Sequence, residues 1–120
     1  GMSNPDETPG EKLDVDHDWT GVHLDHAKGR MPVLAQAQLL TQWAGLYEVT
    51  PDSQPIVGAL PVDGLYTCAG FSGHGFMQGP ICGLLMAEAM LDGRAQTVDI
   101  SSLGYERFQE GRKAPEWNVV

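Results

Sequence analysis

Positive charge is scarce in this chain: its 120 residues carry seven Lys and Arg against 16 Asp and Glu, a formal net charge of −9. Such a surface repels polyanions, so nucleic acid and anionic membrane surfaces are not expected as partners. Cysteine is scarce too. Cys68 and Cys82 both lie in apolar segments without a Cys-rich frame, which predicts core thiols in a reducing compartment. The longest apolar run, around residues 80 to 91, falls short of the roughly 20 residues that a membrane helix needs, and no basic-then-apolar leader opens the sequence. The expectation is a cytoplasmic chain about one domain long, or one piece of a larger domain, whose partner is a small molecule or a protein.

What the chain does have is glycine placed at one informative corner. Leu65 to Ala69 reads as a short buried strand, and Ile81 to Leu91 reads as a helix in which only Glu88 is charged. Between them runs Gly70-Phe71-Ser72-Gly73-His74-Gly75-Phe76-Met77-Gln78-Gly79-Pro80. Pro80 suits a first helical turn and Gly93 suits the position just past the end. N–H groups at a helix start lack internal partners and carry roughly half a positive charge from the helix dipole, so the corner favours an electron-rich group.

Elsewhere the patterning is shorter. Residues 1 to 18, with Asp6, Glu7, Glu11, Asp14, Asp16 and Asp18 among Pro5, Pro9 and Gly10, predict an extended acidic segment. Asp18 suits the N-cap of a helix from Trp19, Pro32 breaks or restarts it, and Val33 to Gln42 carries a near-helical apolar stripe. Trp43 to Val49 and Pro55 to Leu60 read as strands, separated by the Thr50-Pro51-Asp52-Ser53 turn signal. Thr97 to Ile100 suits an edge strand and Ser101 to Gln109 a short helix, with a polar tail over residues 111 to 120. The expected fold is α+β: three short, largely antiparallel strands between Trp43 and Gly70, packed by two or three helices. Exposed strand edges in such a fold predict a homo-oligomer.

Taken together, Trp43-Ala44-Gly45-Leu46-Tyr47, Thr50-Pro51-Asp52, Pro55-Ile56-Val57-Gly58, Gly64-Leu65-Tyr66 and Gly70 to Phe76 resemble, in order and spacing, the C-terminal part of the FAD-dependent D-amino acid oxidase, glycine oxidase and sarcosine oxidase superfamily. The resemblance runs from about Gly1 to Arg94 and is closest to the sarcosine-oxidase-beta-like branch. It implies that residues 19 to 110 form a flavin-ring and substrate-facing portion of a two-domain enzyme that removes a hydride from the carbon beside an amine nitrogen. It further implies cofactor contacts from Gly45, Gly70, Phe71, Ser72, Gly73, His74, Gly75, Phe76 and Met77, with Tyr47 and Met77 facing a small amine or amino-acid substrate. Some sarcosine oxidases attach flavin through a cysteine where this chain has Gly45, so a non-covalent FAD is implied here. Members that grip a carboxylate often use a lysine at the position of Met77 or an arginine at that of Tyr47. Both cationic anchors are missing.

The largest departure from the family is the absence, before Gly70, of the Gly-x-Gly-x-x-Gly turn that holds the FAD pyrophosphate. The chain is therefore expected to be a C-terminal fragment, inactive alone, that awaits a dinucleotide-binding half. The alternative is a non-catalytic interaction or assembly module, including a subunit that completes a flavoprotein in trans. Other readings are weaker. Gly73 to Gly79, with Asp99 downstream, mimics a dinucleotide fingerprint but needs a parallel βαβ unit. Asp14, Asp16, His17, Asp18, His23 and His26 could be taken for a metal cluster, but they lack the spacing of zinc or calcium sites, and no metal is expected. Cys68 with His74 suggests a nucleophilic dyad, against which stands the usual burial of free cysteine.

Overall fold

The computed structural model describes residues 1–112, and most of the expected polar tail lies outside the described residues. It divides into two compact units, one spanning Gly1–Tyr47 and one beginning at Glu48. In the first, helix α1 runs His17–Arg30. Its N-cap is Asp16 rather than Asp18, because the Asp16 carboxylate accepts the Trp19 N–H at 3.0 Å. Asp18 instead lies in the first turn, where its charge complements the helix dipole. The Trp19 indole N–H donates to the Met2 carbonyl at 3.1 Å, tying the extended acidic segment to the helix. Gln42 returns to the same end, with its side chain 3.0 Å from both Thr20 Oγ1 and His17 Nδ1.

Pro32 restarts the chain as expected, but only as a 3-10 turn over Pro32–Gln36. The apolar stripe beyond it does not become an α-helix, and Trp43 to Val49 forms no strand. Both departures have one physical cause. Leu40 is 89% and Trp43 82% exposed, and short amphipathic elements draw their stability from a packed face.

The second unit holds the core. Strands β1 (Ile56–Ala59) and β2 (Tyr66–Ala69) form an antiparallel hairpin pairing Ile56 with Ala69 and Ala59 with Tyr66. Helix α2 (Gly75–Asp92) packs on it, with Val57, Cys82 and Met86 buried together beside Tyr66, Phe71, Ile100 and Leu103. Gly93 closes α2 in the left-handed region at φ 77°, as its position predicts. The helix starts earlier than expected. Helical hydrogen bonding begins at the His74 carbonyl, which accepts from Met77 and Gln78, so Pro80 lies inside α2 rather than in its first turn.

Thr97 to Ile100 is a loop instead of an edge strand. Its first donor is taken up by a side chain, since the Glu88 carboxylate accepts the N–H groups of Gln96 and Thr97 at 2.7 and 3.0 Å. Those bonds, that from the Thr97 hydroxyl foremost, hold the Glu88 carboxyl below the usual carboxylate range. The short helix expected over residues 101 to 109 occurs in two pieces, a 3-10 turn at Ser101–Leu103 and helix α3 at Glu106–Gln109. With a two-stranded antiparallel sheet and three helices, the fold is small and α+β. No helix among the described residues is long and apolar enough to cross a membrane.

Candidate functional site

The corner that joins β2 to α2 is compressed into a few residues by unusual backbone angles. Gly70 and Gly73 take φ 73° and 90°, and Ser72 takes φ 48° although it is not glycine. A Cβ on Gly70 would collide with the Thr50 methyl group, so glycine is required there by space as well as by angle. Ser72 compensates for its conformation through burial and hydrogen bonding: it is fully buried, and its Oγ lies 3.4 Å from both the Thr50 N–H and the Gly70 carbonyl. The turn closes with the His74 N–H donating to the Phe71 carbonyl at 3.0 Å. The Phe71 ring packs 3.4 Å from where a Cβ on Gly75 would stand, fixing the entry to α2.

Two N–H groups, of Gly75 and Phe76, precede the first intrahelical hydrogen bonds. They mark the positive end of the helix, and the side chains beside them are exposed and apolar, for Phe76 is 99% and Met77 67% exposed. The corner can therefore offer backbone donors and a flat apolar approach, without any cation, to a planar electron-rich group. Gly70 to Met77, all expected at a cofactor, are brought together in this one turn. Gly45 and Tyr47 belong to the first unit, where both are exposed in its irregular end.

Sequence reasoning missed the support beneath the corner. Arg107 and Asp52 form a buried ion pair, 2% and 3% exposed, through Nε to Oδ2 at 2.8 Å and Nη2 to Oδ1 at 3.0 Å. Nη1 also donates to the Leu103 carbonyl at 2.7 Å and Nη2 to the Gln54 carbonyl at 2.9 Å, while the guanidinium carbon lies 4.1 Å from the Phe108 ring centre. Hydrogen bonding from Arg107, opposed by burial and assisted by the Gln54 N–H, holds the Asp52 carboxyl below the usual carboxylate range. The available signal was an arginine beside an aromatic residue in a chain poor in basic groups.

Cys68 is exposed on β2 rather than buried in the core; Cys82 is the buried one. Partial desolvation, then the neighbouring Cys82 thiol, raises the Cys68 pKa and keeps it protonated, the opposite of an activated nucleophile. Asp16 is engaged in capping, and no group of metal-binding side chains occurs among the described residues. The sheet is antiparallel, so Gly73 to Gly79 does not sit in a parallel βαβ unit.

Residues 1–89 match the family model described as FAD dependent oxidoreductase. The chain is 36% identical over 119 residues to the mouse FAD-dependent oxidoreductase domain-containing protein 1, covering 97% of this chain and 24% of that protein. It is 35% identical over 81 residues to the sarcosine oxidase subunit beta of Rhodobacter capsulatus, covering 68% of this chain and 19% of the subunit. Among solved structures, L-proline dehydrogenase from P. horikoshii superimposes with a TM-score of 0.80 at 31% identity, over 88% of this chain and 28% of that one. The chain thus spans about a quarter of the length of the relatives it matches.

Proposed function

Because the chain belongs to the FAD-dependent oxidoreductase family, we propose that it is the C-terminal, ring-facing part of a flavoprotein that oxidises a small amine or amino acid. The observation that carries this reading is the strand-to-helix corner, with its glycines and the N–H groups of Gly75 and Phe76 at the start of α2. FAD would accept the hydride and, once reduced, carry negative charge on one edge of its ring. A pre-oriented helix start stabilises such charge without reorganising. The donor set fits a non-covalent flavin. Gly70, Phe71, Ser72 and Gly73 shape the turn, His74, Gly75 and Phe76 would hold the ring edge, and Gly45 offers no side chain for covalent attachment.

On this reading the substrate-positioning roles that the family resemblance implies fall to Tyr47 and to Met77. Neither is cationic, so a substrate carboxylate would need its charge-assisted donors from elsewhere. The pyrophosphate-binding half lies outside this chain, and the isolated chain is accordingly inactive. The partner is that missing half, in cis or in trans, and the compartment is the cytoplasm. A second reading, an assembly module without catalysis, draws on the apolar residues that α2 leaves exposed: Phe76, Met77, Ile81, Leu84, Met90 and Leu91.

A flavin titration separates the two. On the flavoprotein reading, the purified chain weakly quenches the fluorescence of added flavin, and Gly75→Val abolishes the quenching while leaving the circular dichroism unchanged. Fluorescence that neither protein alters overturns the flavin reading and leaves the assembly module.

A further inference from the structure

A connected set of buried groups runs from the last helix to the glycine corner, and the flavoprotein reading does not use it. Arg107 on α3 grips Asp52 with two parallel N–H bonds and is itself held by the Leu103 and Gly104 carbonyls at 2.7 and 3.2 Å. Asp52 also accepts the Gln54 N–H at 3.2 Å. The Thr50 hydroxyl lies 2.8 Å from the Gln54 carbonyl and 3.2 Å from Asp52 Oδ1, with one proton to share between them. The same threonine points its methyl group into the space a Gly70 side chain would need, and its N–H donates to Ser72 Oγ. Thr50, Asp52, Ser72 and Arg107 are all buried.

We propose that Arg107 is a positioning residue for the glycine corner: by fixing Asp52 it fixes Thr50, whose methyl group and N–H set the turn from Gly70 to Ser72. The proposal rests on the flavoprotein reading for its purpose but not for its geometry. Three features support it. The planar guanidinium engages both carboxylate oxygens, which fixes orientation as well as distance. Thr50 meets the corner on two sides, through a methyl packed on Gly70 and an N–H on Ser72. Ser72 holds a positive φ that its surroundings must sustain. A threonine is the residue type for this junction, since serine lacks the methyl and valine lacks the hydroxyl.

Amide hydrogen exchange tests the relay without any flavin. The reporters are the N–H groups of Thr50 and His74, which bond within the corner, against those of Leu85 and Met86 inside α2. Arg107→Lys keeps the charge but loses the paired bonds, and is expected to raise corner exchange about tenfold, the scale of one lost hydrogen bond, with α2 unchanged. Thr50→Val keeps the methyl contact and the ion pair but loses the hydroxyl, and is expected to give the same pattern. Combining the two is expected to add little to either alone. A uniform rise across corner and helix shows a merely structural ion pair and overturns the proposal. Unchanged corner exchange in Thr50→Val overturns it too, even if Arg107→Lys fails to fold. Should the chain bind no flavin, that result counts against the flavoprotein reading while the exchange pattern still decides the relay.

Discussion

Asp52 illustrates how little an isolated residue type reveals. In the sequence it is one carboxylate among 16 acidic groups, following a proline in a turn signal. In the structure it accepts from Arg107, Gln54 and Thr50 and is almost fully buried. Its folded pKa is depressed, so the unfolded chain binds a proton at higher pH than the folded one does. The stability it contributes is present in full above the ordinary carboxylate pKa of about 3.9 and is lost as pH falls from there through the lower folded value. Urea midpoints measured from pH 6 down to pH 3 are expected to drop less steeply for Asp52→Asn than for the wild type. At neutral pH the same variant is expected to be less stable by about 3 to 5 kcal/mol, because it strands a buried guanidinium. Equal acid slopes for the two proteins would show that Asp52 titrates normally.

Gly70 is constrained in two ways. Its φ of 73° disfavours a side chain, and the Thr50 methyl fills the space that one would occupy. Gly70→Ala is expected to cost about 1 to 2 kcal/mol from the angle alone, with the collision adding to it. Chemical denaturation of Gly70→Ala beside the double variant Thr50→Ser/Gly70→Ala separates the two contributions, since serine removes the methyl. If Thr50→Ser restores nothing, the collision is relieved by other movements.

At the scale of elements, helix α2 depends on both its ends. Gly93 ends it in the left-handed region, and Gly93→Ala is expected to destabilise the second unit by about 1 kcal/mol, read as a lowered thermal midpoint. Pro80 inside the helix cannot donate toward the Phe76 carbonyl, one turn back at the corner. Pro80→Ala is accordingly expected to raise helicity by circular dichroism and to stabilise the unit by up to about 3 kcal/mol. No gain would mean that the helix has accommodated the ring without loss.

The α2 sequence announced a helix, since its residues are apolar and bounded by Gly93, but its starting point was not legible. Pro80 resembles a first-turn proline, and only the hydrogen bonds that Met77 and Gln78 donate to the His74 carbonyl show that the helix has already begun. The β1–β2 hairpin was legible from Pro55 to Ala69 because both strands are short apolar runs separated by a turn containing Gly64, at φ 73°. Trp43 to Val49 is also rich in aromatic and apolar residues and forms no strand, because β-propensity expresses a fit to a neighbouring surface. Thr97 to Ile100 failed for a different reason. Glu88, nine residues before Thr97, takes the N–H with which an edge strand would begin.

At the scale of the whole molecule, the apolar residues on α2 do not all find a place. Cys82, Leu85 and Met86 are buried, whereas Leu84, Met90 and Leu91 are exposed on the same helix. A helix apolar all round belongs in an interior. Self-association is therefore expected for the purified chain: light scattering at moderate concentration should report an oligomer, and Leu84→Glu together with Leu91→Glu should shift it toward monomer. A wild-type monomer at the same concentration rules self-association out. The net charge of −9 works against this association, so it should strengthen as salt screens the repulsion.

The sequence by itself determined that the chain is acidic, that it is α+β, that its glycines gather at one strand-to-helix corner, and that this corner resembles the flavin-facing end of a known family. Those properties are local or compositional, fixed by residue types and their spacing. Tertiary structure alone decided which residues sustain the corner. Arg107 and Asp52 are 55 positions apart, and no periodicity or motif connects that arginine to a turn so distant in the chain. Only folding removes both from water, and only there does each charge require the other, which makes a surface-type pair of residues the support of the site.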